Sequence, residues 1–122
     1  MKAVISNKKE SLRIEQLWLS SFAEHLKDHK GKYLVGRYKW ENFLFQPMGV
    51  KVGVKAQTIF NEKELEDYYF FNESLSECWE YKNEDYPSSV PSIDDWYLLP
   101  KSLSWTYIFT HDGQEIYLQN GR

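Results

Sequence analysis

The sequence predicts an α+β domain: an N-terminal amphipathic helix packed on a mainly antiparallel β-sheet. Three observations predict it. Apolar residues recur at helical spacing early in the chain, at Ile14, Leu17, Trp18, Phe22 and Leu26. From Tyr33 onward, short runs rich in aromatic and β-branched residues take over, divided by turn residues. The links between those runs are too short for repeated parallel crossovers, each of which needs about a dozen residues or more. A chain of 122 residues is one domain, 1–122, and can bury a core.

The first helix is expected over Ser11–Lys30. Ser11 reads as its N-cap and Gly31 as its stop, with Lys27, His29 and Lys30 placed where positive charge suits the helix dipole. Tyr33–Val35 and Tyr38–Phe45 read as one or two strands that end before Pro47. Gly49 and Gly53 bracket a turn. Val54–Leu65 is a short helical piece with Ala56, Ile59 and Phe60 on one side. Tyr68–Phe71 is a compact aromatic strand and Cys78–Tyr81 another. Asn83–Ser92, with Pro87 and Pro91 among serines, is an extended loop. Trp96–Leu99 is a strand that ends at Pro100. Ser104–Thr110 alternates, with Trp105, Tyr107 and Phe109 on one face and Thr106, Ile108 and Thr110 on the other. Asp112-Gly113 predicts a hairpin turn and Ile116–Leu118 the returning strand. In this arrangement the helix covers one face of the sheet and leaves the other available.

Charge is split along the chain. Residues 1–61 carry eleven Lys/Arg against five Asp/Glu, and residues 62–95 carry two against eleven. The remainder is balanced, and the net charge is −3. A negative molecule is a poor ligand for phosphate backbones, so direct nucleic-acid binding is not expected. The apolar run at the N-terminus, Ala3–Ile5, is too short for a signal peptide, and no stretch approaches a membrane span. The single cysteine, Cys78, excludes an internal disulfide. These features are those of a cytoplasmic protein with no membrane contact.

The acidic stretch is interleaved with large rings. Carboxylates steer a basic partner toward the surface, and amphipathic rings supply contact area once it arrives. The expected partner-binding set is Glu73, Glu77, Trp79, Glu80, Tyr81, Glu84, Asp85, Tyr86, Asp94 and Asp95. Whether Trp79 and Tyr81 serve an interface or the core is open at this level, because the run around Cys78 is too short to show a period. No cofactor or metal is expected, and the chain reads as a binding protein rather than an enzyme.

Four other clusters bear on chemistry. His111 and Asp112, with Glu115 close by, form the alternative site, that of a small enzyme or ligand-binding protein; ordinary turn chemistry is the simpler reading. His25 and His29 are spaced for one helix face but sit where a helix end favours positive charge anyway. Cys78 lies between Glu77 and Glu80, which disfavour a thiolate. The basic run Lys27, Lys30, Lys32, Arg37 and Lys39, with Tyr33, Tyr38 and Trp40, has the composition of a single-strand platform, against which the net charge argues.

The run from Asp95 to Asp112, DWYLLPKSLSWTYIFTHD, resembles the closing segment of a bacterial family of small proteins classed as a domain of unknown function. A Trp-bearing strand (Lys39–Phe45), the positions Gly53, Ala56 and Phe60, and the aromatic strand Tyr68–Phe71 are similar to features further upstream in that family. That resemblance implies no activity. In overall character the chain is similar to the immunity proteins paired with secreted bacterial toxins, including those of contact-dependent growth inhibition. This second resemblance implies a cognate toxin domain as partner, one with a basic surface such as a nuclease has.

Overall fold

The computed structural model describes residues 2–5, 7–24, 29, 30, 32, 40, 50–88, 90 and 94–120. Seven strands among them form one sheet: β1 (Lys2–Val4), β2 (Val50–Val52), β3 (Tyr68–Asn72), β4 (Cys78–Tyr81), β5 (Trp96–Pro100), β6 (Trp105–Phe109) and β7 (Glu115–Gln119). Their order is β1-β4-β3-β5-β6-β7-β2, and every neighbouring pair is antiparallel. Two helices accompany the sheet, α1 (Lys8–Phe22) and α2 (Val54–Asn61). The fold is α+β, as the patterning predicts. No helix among the described residues is long and apolar enough to cross a membrane.

Helix α1 carries Ile14, Trp18, Leu19 and Phe22 against one face of the sheet, where they meet Phe71, Tyr97, Ile108 and Leu118. Trp18 is wholly buried, so its indole N–H must find an acceptor. It donates to Thr106 Oγ1 at 3.0 Å, and Thr106 donates onward to the Leu98 carbonyl at 2.6 Å. The helix differs from expectation at both ends. Asn7, not Ser11, is the N-cap: its Oδ1 accepts from the amides of Lys9 (2.8 Å) and Glu10 (3.4 Å). Ser11 is buried one turn further on. The helix also stops at Phe22 rather than Lys30. The apolar stripe is complete by then, because Glu24–Lys30 offers only Leu26 to a core. His29 and Lys30 lie in a turn.

The second face of the sheet is covered as well, which corrects the expectation that it is available. The strands β3 to β7 alternate between two distinct cores. Tyr68, Phe70, Trp96, Leu98, Trp105, Tyr107, Phe109 and Tyr117 point to the side opposite α1, where Ala56 and Phe60 of α2 join them. Phe60 stacks on Tyr107 with ring centroids 4.0 Å apart and planes 11° off parallel. It also meets the edges of Trp105 and Phe109. Helix α2 follows a tight entry at Gly53 (φ 68°), whose amide donates to the Glu115 carbonyl at 2.9 Å. The residues before Gly53, read as part of a turn, form β2 and pair with β7 at the sheet edge. The strands expected at Tyr33–Val35 and Tyr38–Phe45 lie outside the described residues except for Trp40. Trp40 is buried and donates its amide to Tyr97 Oη at 3.3 Å.

Two expectations follow from this double core. Replacing Phe60 with Ala empties the centre of the aromatic layer and should cost about 3–5 kcal/mol in a urea unfolding measurement, with an unchanged denaturant slope. Burial, the largest cause in each case, raises the phenol pKa of Tyr68, Tyr81, Tyr86, Tyr97 and Tyr107 above the ordinary 10. The unfolded chain therefore releases these protons at a lower pH than the folded one. Stability should be intact below pH 10 and fall as pH climbs beyond it. Tyrosinate absorbance should show these five phenols ionising above that point, together with loss of the fold.

Candidate functional site

The chain leaves β4 at Tyr81 and crosses the aromatic face as a loop. Tyr86 holds that loop down. Its ring lies 5.5 Å from Phe60 and 5.1 Å from Tyr68, and meets Trp105 edge-on at 5.7 Å. Its hydroxyl donates to the Glu64 carbonyl (2.8 Å) and accepts from the Glu66 amide (3.0 Å). Tyr68 donates to the Asp85 carbonyl at 2.9 Å, and the Asn83 amide donates to Asp67 Oδ1 at 3.1 Å. The acidic loop is thus bound to the fold through its backbone and one ring, while its carboxylates stay at the surface.

Tyr81 and Trp79 occupy the margin of the same layer. Tyr81 lies flat on Tyr68, centroids 4.8 Å apart and planes 4° off parallel. Trp79 faces Phe70 across the strand pair and donates to Glu77 Oε1 at 3.4 Å. Both rings are half-buried, with one side on the core and the other toward solvent. Beyond them β1 places Val4 opposite Trp79, and Val4 is 56% exposed. Glu77 and Glu84 flank this row; after burial, their negative charge is what raises the Tyr81 hydroxyl pKa.

The ten residues singled out from the sequence do not form one surface. Glu77, Trp79, Tyr81, Glu84, Asp85 and Tyr86 belong to the aromatic side just described. Glu80 alternates to the opposite face, where it pairs with Lys101. That hydrogen bond holds its carboxyl below the usual range, and Lys101 also lies 5.3 Å above the Tyr69 ring. Glu73, Asp94 and Asp95 gather at the ends of β3 and β5. Glu73 accepts from Tyr97 Oη, and Asp94 Oδ2 accepts from Asn72 Nδ2 at 3.0 Å. Asp95 is buried, 1% exposed, and is committed to His111. Its Oδ1 accepts from the His111 amide at 2.7 Å and lies 2.9 Å from His111 Nδ1. Burial removes Asp95 from any docking surface.

His111, Asp112 and Glu115 have three separate partnerships. Residues 111–113 form a three-residue hairpin loop closed by Gly113 (φ 85°), with Gly113 N–H bonded to the Thr110 carbonyl at 3.1 Å. His111 reaches back to Asp95. Asp112 accepts from the Thr110 hydroxyl, which holds its carboxyl below the usual range. Glu115 accepts from Tyr107 Oη (2.9 Å) and Gln57 Nε2 (2.6 Å). Among the described residues no three His, Cys, Asp or Glu side chains converge as metal ligands would. Cys78 is buried, and burial pushes its thiol pKa up. His25 lies outside the described residues, as do Lys27, Tyr33, Arg37, Tyr38 and Lys39; Lys30 and Lys32 are exposed.

Sequence reasoning missed Val4 and the cleft beside α2, which is lined by Gln57, Asn61, Ser88 and Glu115. A three-residue strand is too short to show alternation. The cleft joins segments far apart in the chain, and no local pattern signals it. No family model, curated protein or solved structure matches this chain.

Tyr86→Phe keeps the ring contacts and removes the hydroxyl. It should cost about 1–2 kcal/mol and speed hydrogen exchange at the Glu66 amide, while a solvent-side change such as Asp85→Asn should do neither.

Proposed function

We propose that this chain is a non-enzymatic binding protein that captures a basic protein partner, and that it serves as an immunity protein neutralising a cognate bacterial toxin domain in the cytoplasm. The observation that carries this reading is the row of Val4, Trp79 and Tyr81 at the sheet margin, flanked by Glu77, Glu84 and Asp85. Half-exposed rings already seated on a rigid core lose little freedom when a partner covers them. Carboxylates around them accelerate encounter with a basic surface and oppose acidic competitors. Toxin domains that act on nucleic acids carry basic surfaces because their substrate is polyanionic. Glu80 and Asp95 are left out of the contact set, since Lys101 and His111 already occupy them.

Tagged protein pulled down from its native lysate should retain a basic partner at low salt and lose much of it at high salt. Against that purified partner, Trp79→Ala should weaken affinity by about tenfold or more. Lysine at positions 77, 84 and 85 together should slow association by about tenfold or more, with the far-ultraviolet spectrum unchanged. A partner bound equally well by both variants would place the interface elsewhere.

A further inference from the structure

We propose that the cleft between α2, the β6–β7 hairpin and the loop after β4 is a binding site for one organic cation, an alkylammonium or guanidinium group. The site is distinct from the row at β4 and stands whether or not that row binds a partner. It has two lobes, of about 260 and 150 Å³, which share Ser88 and Glu115. Drug-sized ligands occupy roughly 300 Å³ or more, so each lobe is scaled to a single side chain or a small amine.

The lining selects charge. Glu115 is the one ionisable side chain among the described lining residues, and it lines both lobes; Gln57, Asn61, Ser88 and Gln114 are neutral and polar. The carboxylate is held in place beforehand. Tyr107 donates to one oxygen and Gln57 to the other, and Tyr107 is itself fixed by its stack on Phe60. Each carboxylate oxygen has a second acceptor position beyond the one used. A cation would take those positions without ordering any new side chain. Phe60 borders the larger lobe and Phe109 the smaller, which gives the hydrocarbon stem of an organic cation apolar surface to lie on. An anionic ligand would meet the Glu115 carboxylate with no cation among the described lining residues, and a wholly apolar one would bury it without exchange.

The test is an amide-resolved NMR titration of the whole chain with two probes, agmatine and a capped Gly-Arg-Gly peptide, with propionate as the anionic control. Saturable shifts are expected at Asn61, Ser88, Gly113 and Gln114 with either cation and none with propionate. Glu115→Gln keeps the shape and should weaken binding by about tenfold or more, the scale of a charge-assisted hydrogen bond. Ser88→Tyr, at an exposed loop position, should plug the rim and abolish saturation even if the first variant fails to fold. Tighter binding of the peptide identifies the natural ligand as a protein's Arg or Lys side chain; tighter binding of agmatine identifies a free small molecule. Shifts spread over residues 62–95 without saturation, or equal affinity in both variants, would overturn the proposal.

Discussion

The stack of Phe60 on Tyr107 fixes the half of the molecule that faces away from α1. Two rings 4.0 Å apart and nearly parallel tie α2, which lies along β7 and β2, to β6. The neighbouring parts of that side are placed relative to Phe60. Tyr86 rests on it, so the acidic loop follows a set path over the sheet. Tyr107, held beneath it, aims its hydroxyl at Glu115. Gln57, one turn before Phe60 on α2, meets the same carboxylate. One offset-stacked pair therefore orients a helix, a loop and a cleft. The aromatic layer suits this task because rings bury large areas and still carry polar tips that can tie down backbone.

The opposite face works on different terms. There a helix with an aliphatic and indole stripe covers Phe71, Tyr97, Ile108 and Leu118, and a buried polar chain runs from Trp18 through Thr106 to Leu98. A sheet covered on both sides buries both faces of its central strands, and β5 and β6 are buried throughout, with the polar Thr106 hydrogen-bonded on both sides. Among the described residues, α2 and the loop after β4 cover the aromatic layer, and Trp79 and Tyr81 lie at its margin beside β1. The half-exposed Trp79 and Tyr81 are thus a consequence of where the second cover ends.

The acidic stretch is dispersed by the fold. Glu80 is offset by Lys101, Asp95 by His111, and Asp94 by Asn72. Glu66 and Asp67 accept the backbone amides of Ser102 and Asn83. These contacts reduce the mutual repulsion that eleven carboxylates in one stretch would otherwise impose. Glu77 and Asp85 remain exposed near the rings of β4 and Glu84 is half-buried there, while Glu62 and Glu64 are exposed after α2.

The strands of the second half were readable in the sequence because their signals are local. The alternation of Trp105, Tyr107 and Phe109 with Thr106 and Ile108 set the two faces of β6, and Asp112-Gly113 set the turn into β7. The Ala56–Ile59–Phe60 spacing set α2. Helix length was not readable, since Leu26 keeps the helical spacing in the sequence while α1 ends at Phe22. The site residues were legible as a composition but not as a surface: alternation along β4 sends Glu80 to one face and Trp79 and Tyr81 to the other, and hairpin closure draws Asp95 under His111. The sequence by itself determined the α+β class and the strands from Tyr68 onward, because backbone preference and apolar period act over a few neighbours; it did not determine β1, β2 or the ends of α1. Only the tertiary structure decided that both faces are covered, which carboxylates are engaged, and where Glu115 meets Gln57, because those outcomes rest on contacts between segments distant in the chain.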